Sequence, residues 1–125
     1  MLPGKGFSMK ESALSTHVLD TAAGCPAQGM ALELWRIPSE GPAERLFQGI
    51  TNADGRPDAP LLAPEAFVPG RYELRFAVGD YFAARGEASG FLDVVALNVG
   101  LRAGEGHYHV PLLCTPWSYN TYRGS

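Results

Sequence analysis

The sequence predicts an all-β domain, a two-layer β-sandwich of seven or eight short strands with one brief helix. Three observations carry this reading. Apolar and polar residues alternate with period two in several short segments, as in strands that bury one face. Turn-forming residues recur between those segments. Only one stretch suits a helix, and it is too short to stand without a sheet to pack on.

Residues 14–19 alternate, with Leu14, Thr16 and Val18 on one side and Ser15, His17 and Leu19 on the other. The turn segment DTAAGCPAQG precedes a second strand over residues 30–37, which PSEGP ends. A strand over residues 45–51 then meets Asn52-Ala53-Asp54-Gly55, whose Asp-Gly pair signals a turn. Residues 57–70 hold four prolines. Proline lacks the amide that a central ladder needs, so this stretch is expected to be loop with one short edge strand. Residues 71–78 give the clearest amphipathic strand, Tyr72, Leu74, Phe76 and Val78 opposing Arg71, Glu73 and Arg75. The helix is expected over residues 80–87, with Asp80 as its cap and Gly86 near its end. Strands over residues 91–99 and 107–113, joined by a loop with three glycines, complete the sandwich.

A chain of 125 residues builds one core, not two. A net charge of −3 offers no basic field, which argues against nucleic acid or an anionic membrane as partner. No stretch is long and apolar enough for a membrane-spanning helix. The opening MLPGKGFSMK lacks the apolar run of a signal peptide. Residues 1–12 are therefore expected to form a flexible extension, with effective order from about Met9 and the domain over 13–125. The expected location is cytoplasmic, where Cys25 and Cys114 would stay free thiols. No CxxC, HExxH or similar spacing is present, so neither a metal nor a cofactor is expected.

The last nineteen residues, HYHVPLLCTPWSYNTYRGS, are the most unusual stretch. Period two puts His107, His109, Pro111 and Leu113 on one face and Tyr108, Val110 and Leu112 on the other. The second set is uniformly large and apolar or aromatic, so it is the core face. Cys114 shares that side and is expected to pack there. The histidine face is then the outer one, yet it also carries Pro111 and Leu113. His17 sits in the same way beside Leu19. An outer face that mixes histidine with apolar side chains suggests burial against another subunit. Each candidate also has a plain structural reading: solvated histidines, a solvated Arg56 after the turn, Tyr122 sealing the sandwich end, Arg123 pairing with a carboxylate, and a frayed Ser125.

Three separated segments, LSTHVLDTAAGCPA, TNADGR and HYHVPLLCTPWSYNTYRGS, resemble the signature segments of the 5-hydroxyisourate hydrolase branch of the transthyretin-like proteins. The resemblance runs from Ala13 to Ser125, fits the strand over residues 91–99 least literally, and is most specific in the closing YRGS. It implies two four-stranded sheets and a homotetramer, a dimer of dimers whose outer faces enclose a channel holding the active sites. It further implies catalysis by His17, Arg56 and His109, and substrate contacts from His17, Arg56, Tyr122 and Ser125. The implied reaction opens the six-membered ring of 5-hydroxyisourate, giving 2-oxo-4-hydroxy-4-carboxy-5-ureidoimidazoline in urate catabolism. Such chemistry needs an activated water, stabilised negative oxygen and a proton for the departing nitrogen. Histidine suits the first and third needs, and arginine the second. A carrier that binds an aromatic small molecule in the same channel is the alternative.

Overall fold

The structure, a computed structural model, describes residues 11–87 and 90–125. The expected extension over residues 1–10 and the start near Met9 lie outside the described residues. In chain order the elements are β1 (Ala13–Asp20), β2 (Cys25–Pro26), β3 (Ala31–Ile37), β4 (Glu44–Ile50), β5 (Gly70–Ala77), α1 (Val78–Ala84), β6 (Val94–Leu101), β7 (His107–Cys114) and β8 (Tyr119–Thr121). They form two four-stranded sheets, ordered β2-β1-β7-β8 and β4-β3-β5-β6. The expected all-β sandwich is the observed fold.

Alternation sets the faces as anticipated. Leu14, Thr16 and Val18 of β1 and Tyr108, Val110, Leu112 and Cys114 of β7 turn inward and are buried. They meet Leu32 and Leu34 of β3, Tyr72, Leu74 and Phe76 of β5, and Val95 and Leu97 of β6 in one core. Each fully buried side chain of this size contributes about 1.5–3 kcal/mol. Polar atoms at the core edge are matched. Thr16 Oγ1 donates to the Val110 carbonyl at 2.7 Å. Asp20 accepts from the Ala22 and Ala23 amides and from the Tyr81 hydroxyl, which ties the first sheet to the helix.

The differences from expectation have local causes. The helix begins at Val78, two residues before the predicted start, and its N-cap is Ala77, with no side-chain cap bond. Burial of Val78, Tyr81 and Phe82 fixes that start, so Asp80 lies in the first turn, where a carboxylate suits the positive end of the backbone dipole. The edge strand expected within residues 57–70 reduces to a single bridge between Leu62 and Leu14, followed by a 3-10 turn over Pro64–Ala66. Two short strands escaped the sequence pattern. β2 is two residues long and β8 three, too brief for alternation to show.

The pairing that matters most is β1 with β7. It is parallel, and its register sets Ser15 beside His109 and His17 beside Pro111. Two strands about ninety residues apart in sequence thus share one outer face.

Candidate active site

The two outer faces of the sandwich differ in chemistry. On the β3–β5 sheet, Glu33, Arg45, Glu73 and Arg75 pair among themselves, and the Arg75 guanidinium lies 4.3 Å over the Trp35 ring. Such a lattice satisfies its charges locally and stays in water. The β1–β7 sheet instead presents Ser15, His17, His109, Leu19 and Leu113, all half-buried, with His107 exposed at the rim. Pro111 shares this face but is already buried within the single chain. It lies beside His17, and Thr121 Oγ1 donates to its carbonyl at 2.7 Å. Pro111 thus leaves little surface for a second subunit to cover, and Leu19 and Leu113 are the apolar side chains of this face that stay partly open.

His17 and His109 face each other with ring centroids 6.4 Å apart. His17 Nε2 lies 2.8 Å from the Asp54 carbonyl. A carbonyl only accepts, so Nε2 carries the proton, and a neutral His17 leaves Nδ1 bare. His109 Nδ1 lies 2.8 Å from Ser15 Oγ, which leaves its Nε2 available.

The turn expected at Asp54-Gly55 is present, and it does more than reverse the chain. Asn52 Oδ1 accepts from the amides of Asp54 and Arg56, and the Asn52 amide donates to the Arg56 carbonyl, closing a tight loop. Gly55 then docks that loop on β1. Its carbonyl accepts from the Val18 amide at 2.8 Å, and a Cβ at this position would stand 2.3 Å from the Val18 carbonyl oxygen. Only glycine allows this approach, here with φ +78°. The docked loop brings the Asp54 carbonyl to His17 and the charge of Arg56 to His109.

Arg56 is exposed, and its guanidinium has no hydrogen-bond or ion-pair partner among the described residues. A hollow of about 200 Å³ lies against it, lined by Ser15, Arg56, Pro57, Asp58, Ala59 and Pro60. Its charge registers at His109. Burial first, then the positive charge of Arg56, then His17 and His107, hold the His109 imidazole below its ordinary range. The shift favours the neutral form of His109 over that of a free histidine at the same pH, which suits a base.

The C-terminus is pinned across this face. Gly124 and His109 exchange backbone hydrogen bonds in both directions, at 2.6 and 3.1 Å. Arg123 donates to the Glu105 carbonyl at 3.0 Å and lies 4.2 Å over the Tyr108 ring. Arg123 therefore anchors the tail, while Tyr122 and Ser125 on either side remain exposed. His17, His109 and Arg56 come together as expected. Tyr122 and Ser125 are brought near only through the Gly124 bridge, and their side chains have no hydrogen-bond partner among the described residues. Two contributors were missed from sequence: Ser15, whose parity with His17 was the available signal, and the Asp54 carbonyl, which no side-chain pattern reveals. Cys114 is buried as expected, its thiol pushed up to about 12 chiefly by burial. It is no nucleophile.

Two facing histidines, an arginine unpaired among the described residues and the chain's own C-terminus thus gather on one outer sheet surface of a β-sandwich. The chain belongs to the HIUase/Transthyretin family, whose model matches residues 14–124. It is 51% identical over 115 residues to the 5-hydroxyisourate hydrolase of Halalkalibacterium halodurans, spanning 90% of this chain and 97% of that protein. It is 53% identical over 119 residues to that of Ralstonia nicotianae, spanning 90% and 97% respectively. Among solved structures, transthyretin from Sparus aurata superposes with a TM-score of 0.82 at 28% identity, spanning 90% of this chain and 96% of that one.

Proposed function

We propose that the chain is a hydrolase that opens 5-hydroxyisourate to 2-oxo-4-hydroxy-4-carboxy-5-ureidoimidazoline in urate catabolism. The observation that carries the reading is the facing pair His17 and His109 beside Arg56, in a chain about half identical to hydrolases of that name. That identity weighs against the carrier alternative. His109, held neutral, takes a proton from water as it attacks the ring carbonyl. Arg56 meets the negative charge that develops on the carbonyl oxygen, using a planar fork that never deprotonates. His17 orients the water or the departing nitrogen. Tyr122 and Ser125 contact the substrate from the pinned terminus.

The assembly is proposed as a homotetramer, a dimer of dimers. Half-buried Leu19 and Leu113 beside the histidines support it, since covering them removes apolar surface from water. A cytoplasmic location belongs to the same proposal. Fresh 5-hydroxyisourate with and without protein, followed by ultraviolet absorbance, tests the activity. Accelerated decay is expected, and decay at the uncatalysed rate would refute the reading. Light scattering should report about four chains.

A further inference from the structure

Ser15 occupies a position that the reading above leaves unused. Its hydroxyl oxygen lies 2.8 Å from His109 Nδ1 and 2.7 Å from His107 Nε2. Among the described residues these are its hydrogen-bond partners, whereas the neighbouring Thr16 hydroxyl is engaged by the Val110 carbonyl. A serine hydroxyl carries one proton. It can donate to one imidazole and must accept from the other, so the three side chains form a directional chain. We propose that Ser15 and His107 form a proton relay behind His109, carrying the charge gained at the base to the exposed rim of the sheet. The relay rests on His109 acting as the base.

The movement balances. At rest, His109 Nδ1–H donates to Ser15 Oγ, the Ser15 hydroxyl donates to His107 Nε2, and His107 holds its own proton on Nδ1. His109 Nε2 is then a free lone pair. When Nε2 takes a proton from water, the Nδ1–H bond breaks toward Ser15 Oγ as the Ser15 proton passes to His107 Nε2. His109 and Ser15 end neutral, and His107 ends as the imidazolium. The reverse movement lets His109 Nε2 give its proton to the departing nitrogen and restores the resting state.

Electrostatics favours the relay over a stationary charge. A proton kept on half-buried His109 stands beside Arg56 and His17, both of which oppose a further positive charge there. His107 is exposed, and water stabilises the charge. The geometry also explains why a parallel β1–β7 pair serves the site. It sets Ser15 level with His109 and lets one small side chain on β1 span two histidines on β7.

The decisive experiment combines kinetics with the tautomer state of His109, read by long-range 1H–15N correlation on 15N-histidine-labelled, full-length protein. Wild type should show His109 protonated on Nδ1, and Ser15→Ala should shift that proton toward Nε2. On fresh 5-hydroxyisourate, Ser15→Ala should lose about tenfold or more in kcat, with KM within about twofold. Ser15→Thr keeps a hydroxyl and should regain most of the loss. His107→Gln should match Ser15→Ala, and the double variant should fall no further than the worse single, because both cut one chain. Unchanged kcat in folded Ser15→Ala, losses that multiply in the double variant, or wild-type His109 protonated on Nε2 would each overturn the relay. An active wild type with unchanged Ser15→Ala sinks the relay alone, whereas an inactive wild type sinks the functional reading and the relay with it.

Discussion

Gly55→Ala is the sharpest test of how the loop builds the site. Two costs are separable. The residue has φ +78°, where a side chain costs roughly 1–2 kcal/mol. The new Cβ would also stand 2.3 Å from the Val18 carbonyl oxygen and 3.2 Å from Pro26 Cβ. That overlap is with backbone, so the loop must lift, and the hydrogen bond from the Val18 amide to the Gly55 carbonyl is lost for about 1 kcal/mol more. The expected destabilisation is about 2–3 kcal/mol. Gly24 supplies the control. Its φ is +76°, yet a Cβ there meets nothing within 4 Å, so Gly24→Ala should show only the backbone cost, about 1–2 kcal/mol. Urea unfolding with an unchanged m-value gives both numbers. The rate should fall much further in Gly55→Ala than in Gly24→Ala. The lifted loop carries the Asp54 carbonyl off His17 and moves Arg56, and misplacement of about 1 Å can cost about a hundredfold. If Gly55→Ala proves no costlier than Gly24→Ala and keeps its rate, the docking argument is wrong.

Arg56→Gln should raise the acid limb of kcat/KM, because the pKa of His109, lowered first by burial and then by Arg56, recovers part of the way; more of the base is then protonated at a given acidic pH. Arg56→Lys keeps the charge and should leave the limb in place while the rate still falls, since the planar fork is gone; a pH–rate series on both variants checks this. His17→Ala and His109→Ala should each lose about a hundredfold in kcat while staying folded, as circular dichroism and initial rates will report, because neither side chain enters the core. Deleting residues 122–125 removes the Gly124–His109 exchange and the Arg123 contact with Tyr108, so melting temperature and rate should fall together; a fully active deletion would show the terminus to be dispensable.

The parts of this site legible from sequence were those fixed by strand parity and by chemistry-bearing side chains. Alternation alone put His17 and His109 outside and Val18 and Val110 inside, because a strand with one buried face leaves its residues no choice of side. The Asp-Gly pair announced a turn for a local reason as well. What stayed hidden is what depends on pairing across long separations. Nothing within residues 13–20 says that they run parallel to residues 107–114, nor in which register. Shifting that register by two residues would preserve every face, yet it would part Ser15 from His109.

The same distinction explains the tail. The residues that anchor it are not the ones singled out for chemistry. Arg123 is held over Tyr108, and Gly124 carries the backbone exchange with His109, while Tyr122 and Ser125 are left exposed on either side. This arrangement of held and free residues has a physical logic. An extended segment bonded at Gly124 fixes the directions of its neighbours without using their side chains. Four terminal residues can therefore be both strap and contact surface, provided the strap sits where a side chain is not needed. Position 124 meets that condition because the strap there is made by backbone alone; an added Cβ would rest in ordinary contact with His109 Cβ, at 3.4 Å.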